Sequence, residues 1–430
     1  MHSATHQAIA AVWRIECARI VAHVARLVRD VGVAEELAQD ALVAALEHWP
    51  RDGVPRNPAA WLMTAAKHRA LDELRQRSSH AVKLEQLAGD LQAQEAHLVP
   101  DFVDELDAAR SDDIGDDLLR LMFTACHPVL SGEARVALTL KLLAGLTTHE
   151  IARAYLVAEP TIAQRIVRAK RTLREAGVPF EVPQGAELAP RLASVLEAVY
   201  LIFNEGYTAT AGADWMRPPL CNEALRLGRV LAELAPREAE VHGLVALMEL
   251  QASRTAARQD PAGRPVLLLD QDRSRWDQLL IRRGLAALAR AEAPGGRGPY
   301  VLQAAIAACH ARARVAADTD WPRIRDLYGE LARIAPSPVV ELNRAVAVCM
   351  AQGPAAALEI VDALAAGGSL RGYQWLPSVR GDLLARLGRH QEARGEFERA
   401  AALAGNERER QFLLQRVQAL AAQAGPSRGA

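Results

Sequence analysis

A chain of 430 residues is too long for one ordinary domain and implies roughly two to four. Its five cysteines, Cys17, Cys126, Cys221, Cys309 and Cys349, are odd in number and widely scattered, which excludes a disulfide framework or a zinc-ligand spacing and fits a reducing compartment. The net charge of −1 hides a strong segregation of charge along the chain, and the absence of a leader pattern or of any run of ~18 apolar residues makes the chain read as soluble and cytoplasmic, with no membrane partner.

The first segment, 7–78, reads as three or four helices. Ala34, Leu37, Ala38, Ala41, Leu42, Ala45 and Leu46 recur at helical spacing, with Glu35, Glu36, Gln39 and Asp40 assigned to the opposite side. Trp49-Pro50 is expected to close this helix, and 51–58, rich in Gly and Pro, to form a loop. A longer helix follows over 59–77, with Trp61, Leu62, Ala66, Ala70 and Leu74 inward and Lys67, Arg69, Arg75 and Arg77 outward. The stretch 79–117 then carries eleven acidic residues against two basic ones and reads as an acidic linker.

In 118–178 the balance reverses, with nine basic residues against four acidic. An acidic linker ahead of a basic module suits a nucleic-acid binder, because phosphates attract the basic module and repel the linker. Within the module, a short amphipathic helix starting near Glu150 is followed by a Val157-Ala158-Glu159 turn and by Pro160 opening the next helix. That next helix buries Ile162, Ile166, Ala169 and Leu173 on one stripe, while Arg165, Arg168, Lys170, Arg171 and Arg174 populate the rest. The pattern is a helix-turn-helix, whose second helix enters the DNA major groove. A basic solvated helix in some other all-α domain would share the charge but not the turn.

Val178 to Pro183 breaks the periodicity, and from 188 to the end the chain is nearly continuous amphipathic helix. Gly381, Leu384, Gly388, Ala393, Phe397 and Ala400 fall at the small and large positions of a tetratricopeptide-like repeat. Ala345, Val348, Ala357, Val361 and Leu364 form a weaker copy, and such helical arrays expose surfaces that bind peptides or proteins. Cys126-His127 reads as helix-end packing, Gly206 as a left-handed helix terminus, and Asp270, Asp272 and Asp320 as caps or surface ion-pair partners. An enzyme reading built on Glu205 and Asp272 lacks any recognisable constellation, so no catalytic residue, metal or cofactor is assigned.

Several of these stretches together carry a family resemblance. Glu150-Ile151-Ala152, Thr161-Ile162, Gln164-Arg165, Arg168-Ala169-Lys170 and Leu173 resemble region 4 of the extracytoplasmic-function (ECF) RNA polymerase sigma factors, with Leu156 where that family often has Gly. The runs at 34–42, 57–62 and 70–75 resemble sigma region 2, and runs at 119–128, 199–207, 271–277, 319–321 and 336–348 extend the likeness to the subgroup with a long C-terminal tetratricopeptide-like extension. The resemblance implies an all-α protein in three parts: region 2 at 7–78, region 4 at 118–178 and a regulatory helical domain at 188–430. It implies core RNA polymerase as a partner, through the β′ clamp helices and the β flap, and promoter DNA as the second. Glu36, Gln39 and Asp40 would face the polymerase. Arg56, Asn57, Lys67 and Arg75 would hold the −10 element, a flipped base and a melted strand needing polar pockets and cations. Thr161, Gln164, Arg165, Val167, Arg168, Lys170 and Arg171 would contact the −35 element, and the C-terminal part would regulate in cis with a possible protein partner of its own. The rival reading is a helix-turn-helix regulator with a repeat-type sensor that acts without replacing sigma, which leaves 7–78 unexplained.

Overall fold

The computed structural model describes residues 2–88, 111–155, 157–208, 216–261, 264–293, 295–405 and 407–423. They form eighteen α-helices, and the described residues hold no strand beyond one isolated bridge between Gln259 and Pro265. The chain divides into two compact units, Met1–Val199 and Tyr200–Ala430.

The first unit begins with α1 (His2–Val28), α2 (Val31–Asp52) and α3 (Pro58–Ala88), and α1 packs on both of the others. Small residues dominate the contact: Ala22, Ala25, Ala34, Ala38, Ala41, Ala45, Ala66 and Ala70 are fully buried, which lets the backbones approach closely. Contrary to the sequence reading, α2 does not close at Trp49-Pro50 but continues to Asp52 with Pro50 inside it. A proline in a last turn forfeits a single N–H bond, and Gly53, at φ 87, ends the helix by donating its amide to the Trp49 carbonyl.

The stretch read as an acidic linker is helical at both ends, α3 running to Ala88 and α4 (Ser111–Ala125) starting at Ser111; 89–110 lie outside the described residues. Asp117, counted as a linker acid, is instead a core residue, 1% exposed, with Arg120 Nη1 at 2.6 Å and Arg26 Nε at 3.2 Å. A buried carboxylate is tolerable because two guanidiniums meet it.

The stretch read as region 4, 118–178, takes in most of α4 and then α5 (Gly132–Leu142), α6 (Thr148–Tyr155) and α7 (Glu159–Glu175). The next helix, α8 (Leu188–Tyr207), begins by capping α4. The last carbonyls of a helix have no partner within it. Here Arg191 donates to the Phe123 carbonyl at 3.1 Å and Ser194 to the Cys126 carbonyl at 2.5 Å. Arg135 of α5 completes the set with bonds to Ser194 Oγ at 2.5 Å and Glu197 Oε2 at 2.9 Å.

The second unit holds the end of α8 and then α9 (Pro218–Leu234), α10 (Ala239–Ala252), α11 (Gln278–Glu292), α12 (Pro299–Arg312), α13 (Trp321–Ile334), α14 (Pro338–Gln352), α15 (Pro354–Gly367), α16 (Trp375–Arg386), α17 (His390–Leu403) and α18 (Glu407–Gln423). From α13 onward each helix packs chiefly on its neighbours in sequence, the contact pattern of a helical repeat. Both copies of the repeat pattern lie at these contacts, with Ala345, Ala357, Val361, Leu384, Ala393 and Ala400 all fully buried. Gly206 departs from expectation: it is inside α8, not at a left-handed terminus. Glycine is needed there for close approach, since a Cβ would lie 2.5 Å from the Cys221 amide nitrogen. Asp272, Asp277 and Asp320 cap the turns or helices that follow them.

Candidate nucleic-acid interface

The helix-turn-helix is built by local chemistry. Thr147 and Glu150 form a reciprocal capping box at the start of α6: the Thr147 amide and hydroxyl donate to Glu150 Oε2 at 2.8 and 2.9 Å, and the Glu150 amide donates to Thr147 Oγ1 at 3.1 Å. Burial alone would raise the Glu150 pKa, but the Thr147 bonds and the nearby Arg14 guanidinium hold it below the ordinary value. Pro160 stands in the first turn of α7, and Ile162, Ile166, Ala169 and Leu173 are all buried, as the periodicity required. Leu156, where the family often has glycine, lies outside the described residues.

The remaining faces of α7 are not equivalent. Thr161, Gln164, Val167, Arg168 and Arg171 are exposed, Val167 at 64%. Arg168 makes no ion pair among the described residues, and Arg171 reaches only Glu175, at 3.5 Å in solvent. Arg165 pairs with Glu133 at 2.6 Å. Lys170 and Arg174 reach across to α2, Lys170 half-buried and Arg174 still exposed. Lys170 Nζ pairs with Glu35, whose other oxygen also meets Lys141 Nζ at 3.4 Å and accepts a bond from Gln39. Arg174 Nε reaches Asp30 Oδ2 at 2.6 Å, while Asp30 Oδ1 caps α2 through the amides of Gly32 and Val33. Burial works against the Asp30 carboxylate, yet the bonds from Arg174 and the two amides outweigh it and keep its pKa low. A Cβ at Gly32 would press on Asp30 Oδ1 at 3.1 Å, while Arg174 and Lys170 would stand at ordinary contact distance.

Glu35 was assigned to the solvent side of α2, and this assignment is corrected: the residue is 5% exposed. It lies four positions after Val31 and three before Ala38, both buried, so the apolar stripe is wider than the sequence reading drew it. Glu36 and Asp40 are exposed, and Gln39 is half-buried with its amide on Glu35. Of the residues assigned to the −10 element, Asn57 caps α3 by accepting the Ala60 amide at 3.1 Å, and Arg75 pairs with Asp72 at 3.1 Å. Arg56 is exposed and Lys67 half-buried. Sequence reasoning missed Asp30, Glu35 and Lys141 as a set; an Asp directly before a helical pattern was the one local signal, marking the cap but not its second partner.

Comparison with known proteins gives this arrangement a family. Residues 16–80 match the Sigma-70 region 2 family. The chain is 30% identical over 162 residues to the ECF RNA polymerase sigma factor SigK of Mycobacterium ulcerans, covering 37% of this chain and 79% of that protein. It is likewise 30% identical over 158 residues to SigL of Mycobacterium tuberculosis, covering 36% and 81%. The chain belongs to the ECF sigma factors. An uncharacterized protein of Rhizobium meliloti (strain 1021) is 45% identical over 399 residues, 93% of this chain and 92% of the relative. Residues 191–292 of the sigma factor match a family of unknown function, DUF6596. The crystal structure of yeast Tom70 overlays loosely, with a TM-score of 0.37 at 11% identity over 94% of this chain and 82% of that one. Among the described residues no helix of the sigma factor is long and apolar enough to cross a membrane.

The ion pairs between α2 and α7 have an energetic consequence that separates Glu35 from its neighbour. Glu35→Ala leaves Lys141 and Lys170 facing one another without an anion and should destabilise the first unit by about 3 kcal/mol. Glu36→Ala, at an exposed site, should stay within about 0.5 kcal/mol. Urea unfolding, with hydrogen exchange at the amides of α2 and α7, reads the difference; equal effects would place the contact's energy elsewhere.

Proposed function

We propose that this sigma factor binds core RNA polymerase and directs it to a small set of promoters, with region 4 reading the −35 element and region 2 opening the −10 element. The observation that carries the reading is the outer face of α7. Thr161, Gln164, Val167 and Arg168 are exposed together opposite a fully buried stripe, which is what a recognition helix offers to the major groove. Gln164 and Arg168 are suited to bidentate bonds with base edges and the Val167 side chain to a thymine methyl. Arg171 is placed to hold phosphate. Arg165 and Lys170 serve phosphate only by exchanging Glu133 and Glu35 for it. In region 2, Arg56, Asn57, Lys67 and Arg75 take the −10 element, and exposed Glu36 and Asp40, with Gln39 beside them, face the polymerase.

Two outcomes test this assignment in transcription with purified core polymerase. Arg168→Ala should cost roughly 1–3 kcal/mol and relax preference at one −35 position; a uniform loss across all −35 variants would move Arg168 to the phosphate contacts. Asp40→Arg should abolish capture of core polymerase while leaving affinity for isolated DNA nearly unchanged, since it sets like charge against a basic partner surface. Transcription that needs a second sigma factor would favour the regulator reading.

The C-terminal helical domain, 188–430, is read as a regulator in cis with a protein partner of its own. Its support is its size and the repeat-like packing of its helices, with Ala345, Ala357, Ala393 and Ala400 buried between them, the build of a protein-binding array. Ending the chain after Pro183 should change promoter-dependent transcription; rates and polymerase affinity equal to the full chain, with and without cell extract, would refute regulation in cis.

A further inference from the structure

The second unit contains a cavity of about 400 Å³ that the polymerase and promoter reading does not use. It lies between the stretch from Arg254 to Gln271 and helices α14, α16, α17 and α18. Apolar side chains dominate its wall, and three of them, Leu267, Val346 and Trp375, are exposed at 45%, 37% and 40%. Large apolar groups left open around one concavity are the usual mark of a ligand site.

The charge of the wall is lopsided. Arg254, Arg258, Arg386 and Arg416 line it against the carboxylates of Asp382 and Glu409. Asp382 is shared: Arg386 Nε donates to Oδ2 at 2.7 Å and Arg416 Nη2 to Oδ1 at 2.8 Å, so one negative charge serves two guanidiniums. Glu409 accepts from Gln374 at 2.5 Å. Arg254 makes no ion pair among the described residues. Its guanidinium carbon sits 5.8 Å from the Tyr207 ring and 5.9 Å from the Trp276 ring, held by faces that orient a cation without neutralising it. In the same wall Gln271 donates Nε2 to the Val266 carbonyl at 3.2 Å, while its buried Oε1 has no hydrogen-bond partner among the described residues.

We propose that this cavity binds a small amphipathic anion, a carboxylate or phosphate head on an apolar tail. The head meets Arg254 and shares the arginines that Asp382 leaves half-neutralised, and the tail covers Leu267, Val346 and Trp375. A compact body fits better than an extended peptide, since several elements wall the cavity and a peptide of six residues spans about 20 Å. Neutral or cationic ligands of the same size would leave the excess positive charge desolvated and unmatched.

Decanoate, decyl phosphate, decanol and decyltrimethylammonium, titrated calorimetrically into the full-length protein, test the assignment. At least one of the two anions should bind at one site per chain, raise the melting temperature, and bind about tenfold or more tighter than decanol; which anion wins identifies the head. Arg254→Met, which keeps an apolar stem, should weaken that binding about tenfold or more. Val346→Trp, at a partly exposed position, should fill the cavity and abolish it, and Trp375→Phe should remove the ligand-induced fluorescence change. Decanol or the cationic ligand binding as tightly as the anions, no saturable binding of either anion at millimolar concentration, or undiminished binding to folded Val346→Trp would each overturn the proposal, as would capture of peptides in place of all four probes.

Discussion

The carboxylate of Glu35, buried between Lys141 of α5 and Lys170 of α7, is the contact on which the arrangement of the first unit rests. A buried carboxylate with one cation removed is strongly unfavourable, whereas with two it is compensated. The three side chains therefore hold their helices together as a set. Asp30 and Arg174 repeat the device one turn away with more solvent, so their pair contributes less. Together the two contacts fix the rotation of α7 about its own axis, and that rotation decides which of its residues face outward.

A second constraint acts between α4 and α8. The α4 C-terminus leaves carbonyls that need donors, and α8 supplies them from Arg191 and Ser194 rather than leaving them to water. A guanidinium at a helix C-terminus is also favoured by the helix dipole, which offsets part of the cost of burying it; burial lowers the Arg191 pKa. The stretch matching DUF6596 starts at residue 191, the first of these donors. The family boundary and the physical anchor coincide.

What the sequence made legible follows from how far apart the cooperating residues lie. The stripe of α7 and the paired helices at 345–364 and 381–400 depend on residues within a few turns of one another, and periodicity finds them. Glu35 and Lys170 are 135 positions apart. Glu35 and Glu36 differ by one residue and the same side chain, and a helix turns about 100° between them, so composition assigns both to solvent while packing separates them. Pro50 and Gly206 misled for a related reason. Each is a residue with a strong local preference, and each sits where a single lost bond or a passing neighbour matters more than that preference.

The charge count of α7 likewise changes meaning once the pairs are known. Five cations lie between Pro160 and Arg174, but their availability to an anion is graded by what each must give up. Arg168 gives up nothing. Arg171 gives up an exposed pair worth about 0.2–1 kcal/mol. Arg165 and Arg174 give up short pairs with at least one exposed partner. Lys170, 15% exposed against a 7% exposed carboxylate, would leave Glu35 short of a cation, at a cost of several kcal/mol. A phosphate contact formed through released counterions does not recover that much from one residue. A promoter complex that engages Lys170 must therefore offset that cost with another contact.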